Sequence, residues 1–244
     1  MSNKEMKTEQ EVKLDSYFNN RTVDPTYYSS YKIPRYLKPH IPVNKHAKIL
    51  DVGCGYGQFL NSLKEQGYTN ILGIDINNES INECNAKGLK AIQIEDIRNY
   101  AKECNEKYDF ITMSHVLEHI DKDKIIDTLY HIKKYLLKEG GEFILMVPNA
   151  QSYTGAYWRY EDFTHTIMFT AGSCNYVLKA AGFKTISFID PDGTQHMSPI
   201  KKLIIKTLIG IYKLKEDFWN IVLQTSFHKP SPRIYSFELK VSAK

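Results

Sequence analysis

The stretch ILDVGCGYGQFL, Ile49 to Leu60, decides the fold. An apolar run ends in Asp51, three glycines alternate at Gly53, Gly55 and Gly57, and an amphipathic segment then begins near Gln58. Glycine lets the chain turn sharply and approach a ligand closely, and the following helix presents free N–H groups and a positive dipole end. A strand, a glycine turn and a helix in that order make a site for a carboxylate or phosphate.

Working outward, short apolar runs alternate with amphipathic ones, a βαβα rhythm that predicts a parallel sheet covered by helices. The expected strands are AKILDV, ILGIDI, KAIQIE, YDFITMS, GEFILMV, FKTISFID and RIYSFELKV. Expected helices include Gln58 to Gln66, Lys122 to Leu137 capped by Asp121 or Asp123, and SCNYVLKAA closed by Gly182. The second strand ends at Asp75, 22 residues after Gly53, where such folds place an acid on a ribose diol. Asp96 and Ile97 follow the third strand, placed to meet an adenine edge. Each acid alone also has a reading as a strand-end turn or cap residue; the three in order after three strands point to a nucleoside cofactor.

The order D-V-G-C-G-Y-G, I-D-I, E-D-I, F-I-T-M-S-H-V-L-E-H, L-K-E-G-G-E-F resembles the class I S-adenosylmethionine-dependent methyltransferases over roughly residues 45–190. That resemblance implies an α/β, Rossmann-like, seven-stranded, mostly parallel sheet with an antiparallel last strand and helices on both faces. It implies that Gly53, Gly55 and Gly57 hold the methionine part of S-adenosylmethionine, with Asp51 and Ser114 beside it. Asp75 would take the ribose hydroxyls, Ile76 would pack on adenine, and Asp96 with Ile97 would bind the adenine edge. The expected division is a tail and lid segment at residues 1–44, then a methyltransferase domain at 45–244 with a helical insertion at about 191–232.

Two motifs compete with this reading. His115, Glu118 and His119 make H-x-x-E-H, a zinc-peptidase spacing. A peptidase needs both histidines on a sustained helix, whereas HVLEHI has room for one turn between a strand and the next helix. Tyr130 and Lys134, with Ser114 upstream, make a dehydrogenase-like Y-x-x-x-K, but the T-G-x-x-x-G-x-G loop is absent and Tyr130 sits at a core spacing. An NAD-dependent oxidoreductase of a nucleotide-linked sugar and a metallohydrolase are therefore the alternatives, and a cofactor-binding module without turnover is a third.

The acceptor is read from PNAQSYTGAYWRYEDFTHTIMFT, after the fifth strand. Aromatic faces suit sugars or bases, arginine binds phosphate bidentately, and Asp with His acts on a hydroxyl. Trp158, Arg159, Tyr160, His119 and, from the tyrosine-rich N-terminal stretch, Tyr28 are candidate substrate contacts. His165, His115 and Asp162 are candidate catalytic groups. The W-R-Y-x-D-x-T-H pattern resembles methyltransferases of bacterial capsule and O-antigen biosynthesis, which implies a surface-polysaccharide precursor, either a sugar hydroxyl or a phosphate or phosphoramidate oxygen. A divalent ion on Asp162, Glu161 and His165 is compatible with the sequence but not required by it.

The four cysteines form no C-x-x-C pair, the N-terminus lacks a secretion-type apolar core, and no apolar run reaches spanning length. A cytoplasmic enzyme is expected. Gln195 to Lys244 carries nine Lys or Arg against three acids, which suits either the approach of something anionic or a solvated lysine-rich face. The apolar segment PIKKLIIKTLIGIYKLKEDFW reads as a helix packed on the domain or on a partner subunit in a homodimer, or as a lid, in preference to an interfacial helix in peripheral membrane contact. No basic stripe and no N-P-P-Y motif indicates a nucleic-acid acceptor.

Overall fold

The computed structural model describes residues 31–225 and 231–244. They form a seven-stranded sheet of order β3-β2-β1-β4-β5-β7-β6. The strands are β1 (Ile49–Val52), β2 (Ile71–Asp75), β3 (Ala91–Gln93), β4 (Tyr108–Ser114), β5 (Leu137–Pro148), β6 (Ile186–Phe188) and β7 (Glu238–Ala243). Strands β1 to β5 pair in parallel, and β7 runs antiparallel between β5 and β6. All four residues of β1 are buried, as a central strand covered on both faces requires.

The helices are α1 (Gln58–Glu65), α2 (Asn78–Ala86), α3 (Ile97–Glu103), α4 (Ile125–His131), α5 (Gly155–Glu161), α6 (Ala171–Ala180) and α7 (Pro199–Val222). Helix α1 starts where the sequence predicts, buries Phe59, Leu60 and Leu63, and is entered through Gly57 at φ 78°. Helix α6 is held by a capping box between Thr170 and Ser173, and Gly182 at φ 94° ends it.

Several expected elements shift. The helix predicted from Lys122 to Leu137 begins at Ile125 without an aspartate cap and passes into a wider π turn at Ile132–Leu136. Asp121 instead accepts from Lys124 Nζ at 2.8 Å. Tyr130, expected in the core, is 41% exposed because the stripe that faces inward is Ile125, Leu129 and Ile132. Of the segment expected as tail and lid, residues 1–44, the described part packs on the domain: Ile33, Tyr36, Leu37 and Ile41 are buried with Ile49, Phe110, Ile144 and Met146. Tyr28 lies outside the described residues.

Among the described residues of the insertion, one helix forms, α7. No residue of α7 is buried; it leans on the domain through Tyr212, which meets Tyr153 and Tyr235, and through the Tyr235 hydroxyl on Glu216. Among the described residues, no helix is long and apolar enough to cross a membrane.

Candidate active site

The strand order reverses between β1 and β4, so the loops leaving their carboxyl ends diverge and open a cleft, the place where open α/β sheets bind ligands. The loop after β1 lies in it with Gly53, Gly55 and Gly57 at φ 73°, 49° and 78°. A Cβ on Gly53 would stand 2.1 Å from Val116 Cγ2, in the turn after β4. Only glycine lets those two loops touch.

Asp75 holds the loop from β2: its carboxylate accepts from Gly55 N–H at 2.8 Å and from Asn77 N–H at 2.9 Å. Burial nevertheless raises its pKa. Asp51 is buried at the end of β1, accepts from the Thr112 hydroxyl at 2.6 Å, and is pushed up to about 7 by burial. Ile76 and Ile97 are half-buried against the core beside the cleft. Ser114 ends β4, next to β5.

Asp96 has a second role: its carboxylate caps α3 through Arg98 N–H at 2.6 Å and pairs with the Arg98 guanidinium at 2.6 Å, which lowers its pKa. The cap reading of this aspartate is therefore realised, and an adenine would have to share its oxygens with Arg98.

On the other side of the cleft, H-x-x-E-H is split. Leu117–His119 form a single tight turn, and His115 sits before it at φ 55°. His115 stands 3.2 Å from Glu118 through Nδ1 and 3.2 Å from Glu238 of β7 through Nε2. Burial alone would lower its pKa, but those two carboxylates push it up to about 10. Both ring nitrogens of His115 thus face carboxylates, which favours its protonated form and suits it to positioning more than to taking up a proton.

Glu118, His119, Asp162 and His165 converge behind it. His165 is buried, with Nε2 4.0 Å from Glu118 and 3.7 Å from Asp162. The rings of His119 and His165 lie 4.8 Å apart. His119 is lowered by burial; Asp162 is lowered because bonds from Thr164 outweigh its burial.

Arg159 does not project toward a phosphate. Its guanidinium donates to the carbonyls of His165 and Thr166, holding the loop that carries His165. Trp158 accepts from the His165 ring through its carbonyl and stacks obliquely on Phe237 at 5.9 Å, so it anchors the loop too. Tyr160 and Glu161 are exposed, so the ligand set Asp162, Glu161 and His165 is not assembled.

Three groups escaped sequence reading. Glu118 looked like a turn residue and is wholly buried; Glu238 and Lys240 alternate with apolar residues along β7, and Lys240 meets Asp190 at 3.3 Å inside the protein. Their signal was the E-x-K alternation in a strand otherwise read as core.

A family model described as methyltransferase domain matches residues 27–187, starting inside the segment set apart as a tail. A ubiquinone biosynthesis O-methyltransferase of Xylella fastidiosa is 31% identical over 120 residues, which cover 47% of this chain and 46% of that protein. The chain thus spans about half the length of the curated relatives it matches. Among solved structures, a SAM-dependent methyltransferase from Archaeoglobus fulgidus superposes with a TM-score of 0.63 at 21% identity, covering 93% of this chain and 97% of that one. A phosphoethanolamine N-methyltransferase 2 of Haemonchus contortus with S-adenosyl-L-methionine gives 0.59 at 13% identity, covering all of this chain and 61% of that one.

Proposed function

Because the chain belongs to the methyltransferase-domain family, whose fold takes its methyl group from S-adenosylmethionine, we propose that it methylates a hydroxyl oxygen of a small-molecule acceptor. The observation that carries the hydroxyl is the convergence of buried Glu118, Asp162 and His165 with half-buried His119 at the cleft, with Arg159 committed to backbone carbonyls. A phosphate oxygen is already anionic and needs a cation to position it. A hydroxyl must lose a proton during attack, and this cluster supplies groups that take one.

In the reaction, an acceptor oxygen forms a bond to the sulfonium methyl carbon while the carbon–sulfur pair returns to sulfur, leaving S-adenosylhomocysteine. The protein's share is alignment and exclusion of water. Gly53 to Gly57 and Asp75 hold the cofactor, the acceptor lies between Val116 and the α5 loop, and its proton passes to the cluster.

We place the acceptor among sugar hydroxyls of surface-polysaccharide precursors, on the W-R-Y-x-D-x-T-H loop and its exposed aromatics Tyr153, Tyr157 and Tyr160. The name of the Xylella relative supports a phenolic hydroxyl as the competing class. Release of S-adenosylhomocysteine is measured with nucleotide-linked sugars, catechols and phosphoramidates. Turnover of a hydroxyl substrate is expected; turnover of the phosphoramidate alone would overturn the assignment.

Helix α7 supports contact with an anionic lipid surface. Ile200, Ile204, Leu208, Ile211, Leu214 and Phe218 share one outward face, each more than half exposed, with the exposed Lys201 at its edge and Lys206 further round the same helix. An exposed apolar stripe on a helix that also carries lysines suits the interface of a negatively charged membrane. Cosedimentation with phosphatidylglycerol vesicles, absent with phosphatidylcholine and abolished by Leu208→Glu, is expected; a stable dimer in sedimentation velocity that ignores vesicles would refute it.

A further inference from the structure

We propose that Glu118, His119 and His165 bind one divalent first-row transition-metal ion at the acceptor end of the cleft. The inference rests on the acceptor reading above and adds an inorganic component to it. Each residue offers one ligand atom, and the three atoms lie within 4.8 Å of one another.

Glu118 provides the independent mark of a ligand. Its side chain is fully buried; Oε1 stands 3.2 Å from His115 Nδ1 and 4.0 Å from His165 Nε2, and Oε2 is, among the described residues, the buried side-chain polar atom without a hydrogen-bond partner. Leaving such an oxygen unsatisfied costs on the order of 1–3 kcal/mol. A cation bound by this carboxylate offsets that cost.

The hydrogen-bond network also fixes both histidines in the ligating tautomer. A carbonyl only accepts, so the 2.9 Å contact of His165 Nδ1 with the Trp158 carbonyl makes Nδ1 the donor and puts the lone pair on Nε2. The Thr164 hydroxyl donates its one proton to Asp162 at 2.6 Å and therefore accepts from His119 Nδ1 at 2.8 Å. His119 likewise carries its lone pair on Nε2. Metal-bound histidines are oriented by this kind of bond from the far ring nitrogen.

Asp162, 3.7 Å from His165 Nε2, stands where a further ligand or a proton acceptor would be. Ligand atoms on a tetrahedral ion with bonds of about 2.1 Å lie roughly 3.4 Å apart, so the site closes by about an ångström on binding. Two imidazoles with carboxylate select zinc, iron(II), cobalt or manganese over magnesium, which keeps oxygen ligands. The peptidase pattern is thereby redistributed: its Glu and second His join His165, while its first His stands beside Glu118. With the acceptor hydroxyl on the ion, its proton becomes more acidic and leaves to Asp162 as the oxygen attacks the methyl group.

The test is equilibrium dialysis of chelator-treated full-length protein against cobalt(II) and zinc(II), with the cobalt visible spectrum as readout. One equivalent per chain is expected, with affinity falling roughly 100-fold in Glu118→Gln and His165→Ala and unchanged in the exposed Glu161→Gln. S-adenosylhomocysteine affinity reports that each variant is folded. No stoichiometric binding, or binding indifferent to Glu118 and His165, overturns the site; methyl transfer that persists in chelator then leaves the proposed function standing. Stoichiometric, Glu118-dependent binding without transfer to any hydroxyl keeps the site and sinks the function.

Discussion

On the β1 to β3 side of the cleft, Asp75 and Asp96 are tied to nearby backbone, with Asp51 the one that reaches across to Thr112; on the β4 to β7 side several polar groups are tied to one another across the chain. Asp75 accepts from residues 20 and 2 positions away, and Asp96 from one 2 positions away. By contrast, His115 reaches Glu238 across 123 positions, and Thr164 reaches His119 across 45. In the proposed function the first arrangement would hold the cofactor by turns that short sequence encodes, and the second would form the acceptor end from side chains that only the fold brings together.

If that division is right, the two sides are separable by mutation. The largest effect is expected at His165: His165→Ala or Asp162→Asn lowers methyl-transfer turnover by about 10²–10⁴-fold while S-adenosylhomocysteine affinity stays within a factor of about three. Stopped assays paired with calorimetry check it. Asp75→Ala is expected to do the reverse, weakening S-adenosylhomocysteine by about 100-fold, roughly 3 kcal/mol, since it loses the bond that shapes Gly55 and the acceptor proposed for the ribose.

Gly53 is where the sides touch, so a change there should damage both. Gly53→Ala meets Val116 and a positive φ at once, with an expected loss of about 1–3 kcal/mol in denaturant unfolding. Adding Val116→Ala should restore part of it, the steric share, and leave the backbone strain.

A smaller effect sharpens the electrostatic side. Burial raises the Asp51 carboxyl from its ordinary value of 3.8 to about 7 in the fold, so the folded state holds the extra proton between those values. Stability therefore falls as pH rises from 3.8 to about 7, opposite to a salt-bridged carboxylate. Asp51→Asn should flatten that slope, a change on the order of 2–4 kcal/mol between acid and neutral unfolding curves. The smallest effect belongs to α7: Leu208→Glu, on a face that packs against nothing described, should alter stability by less than about 0.5 kcal/mol.

The same contrast explains what was legible in the sequence. The parallel sheet and the Gly53 to Gly57 loop were readable because periodicity and glycine spacing are local. So was Asp75, at the end of a strand that precedes a helix. Strand ends such as those of β3 and β6 shrank because pairing partners, not propensity, set where a ladder stops. His165 and Asp162 were readable as chemistry but not as neighbours of Glu118, since nothing local announces a contact 47 residues back along the chain. Arg159 misled for a related reason: its residue type suits a phosphate, and only the fold reveals that two carbonyls of its own loop already take the guanidinium.

The most direct measurement is calorimetric titration of S-adenosylhomocysteine into the wild type, Asp75→Ala and His165→Ala. The account predicts stoichiometric binding to wild type and His165→Ala with similar affinity, and roughly 100-fold weaker binding to Asp75→Ala. Absence of binding to the wild type, or equal loss in both variants, would contradict it.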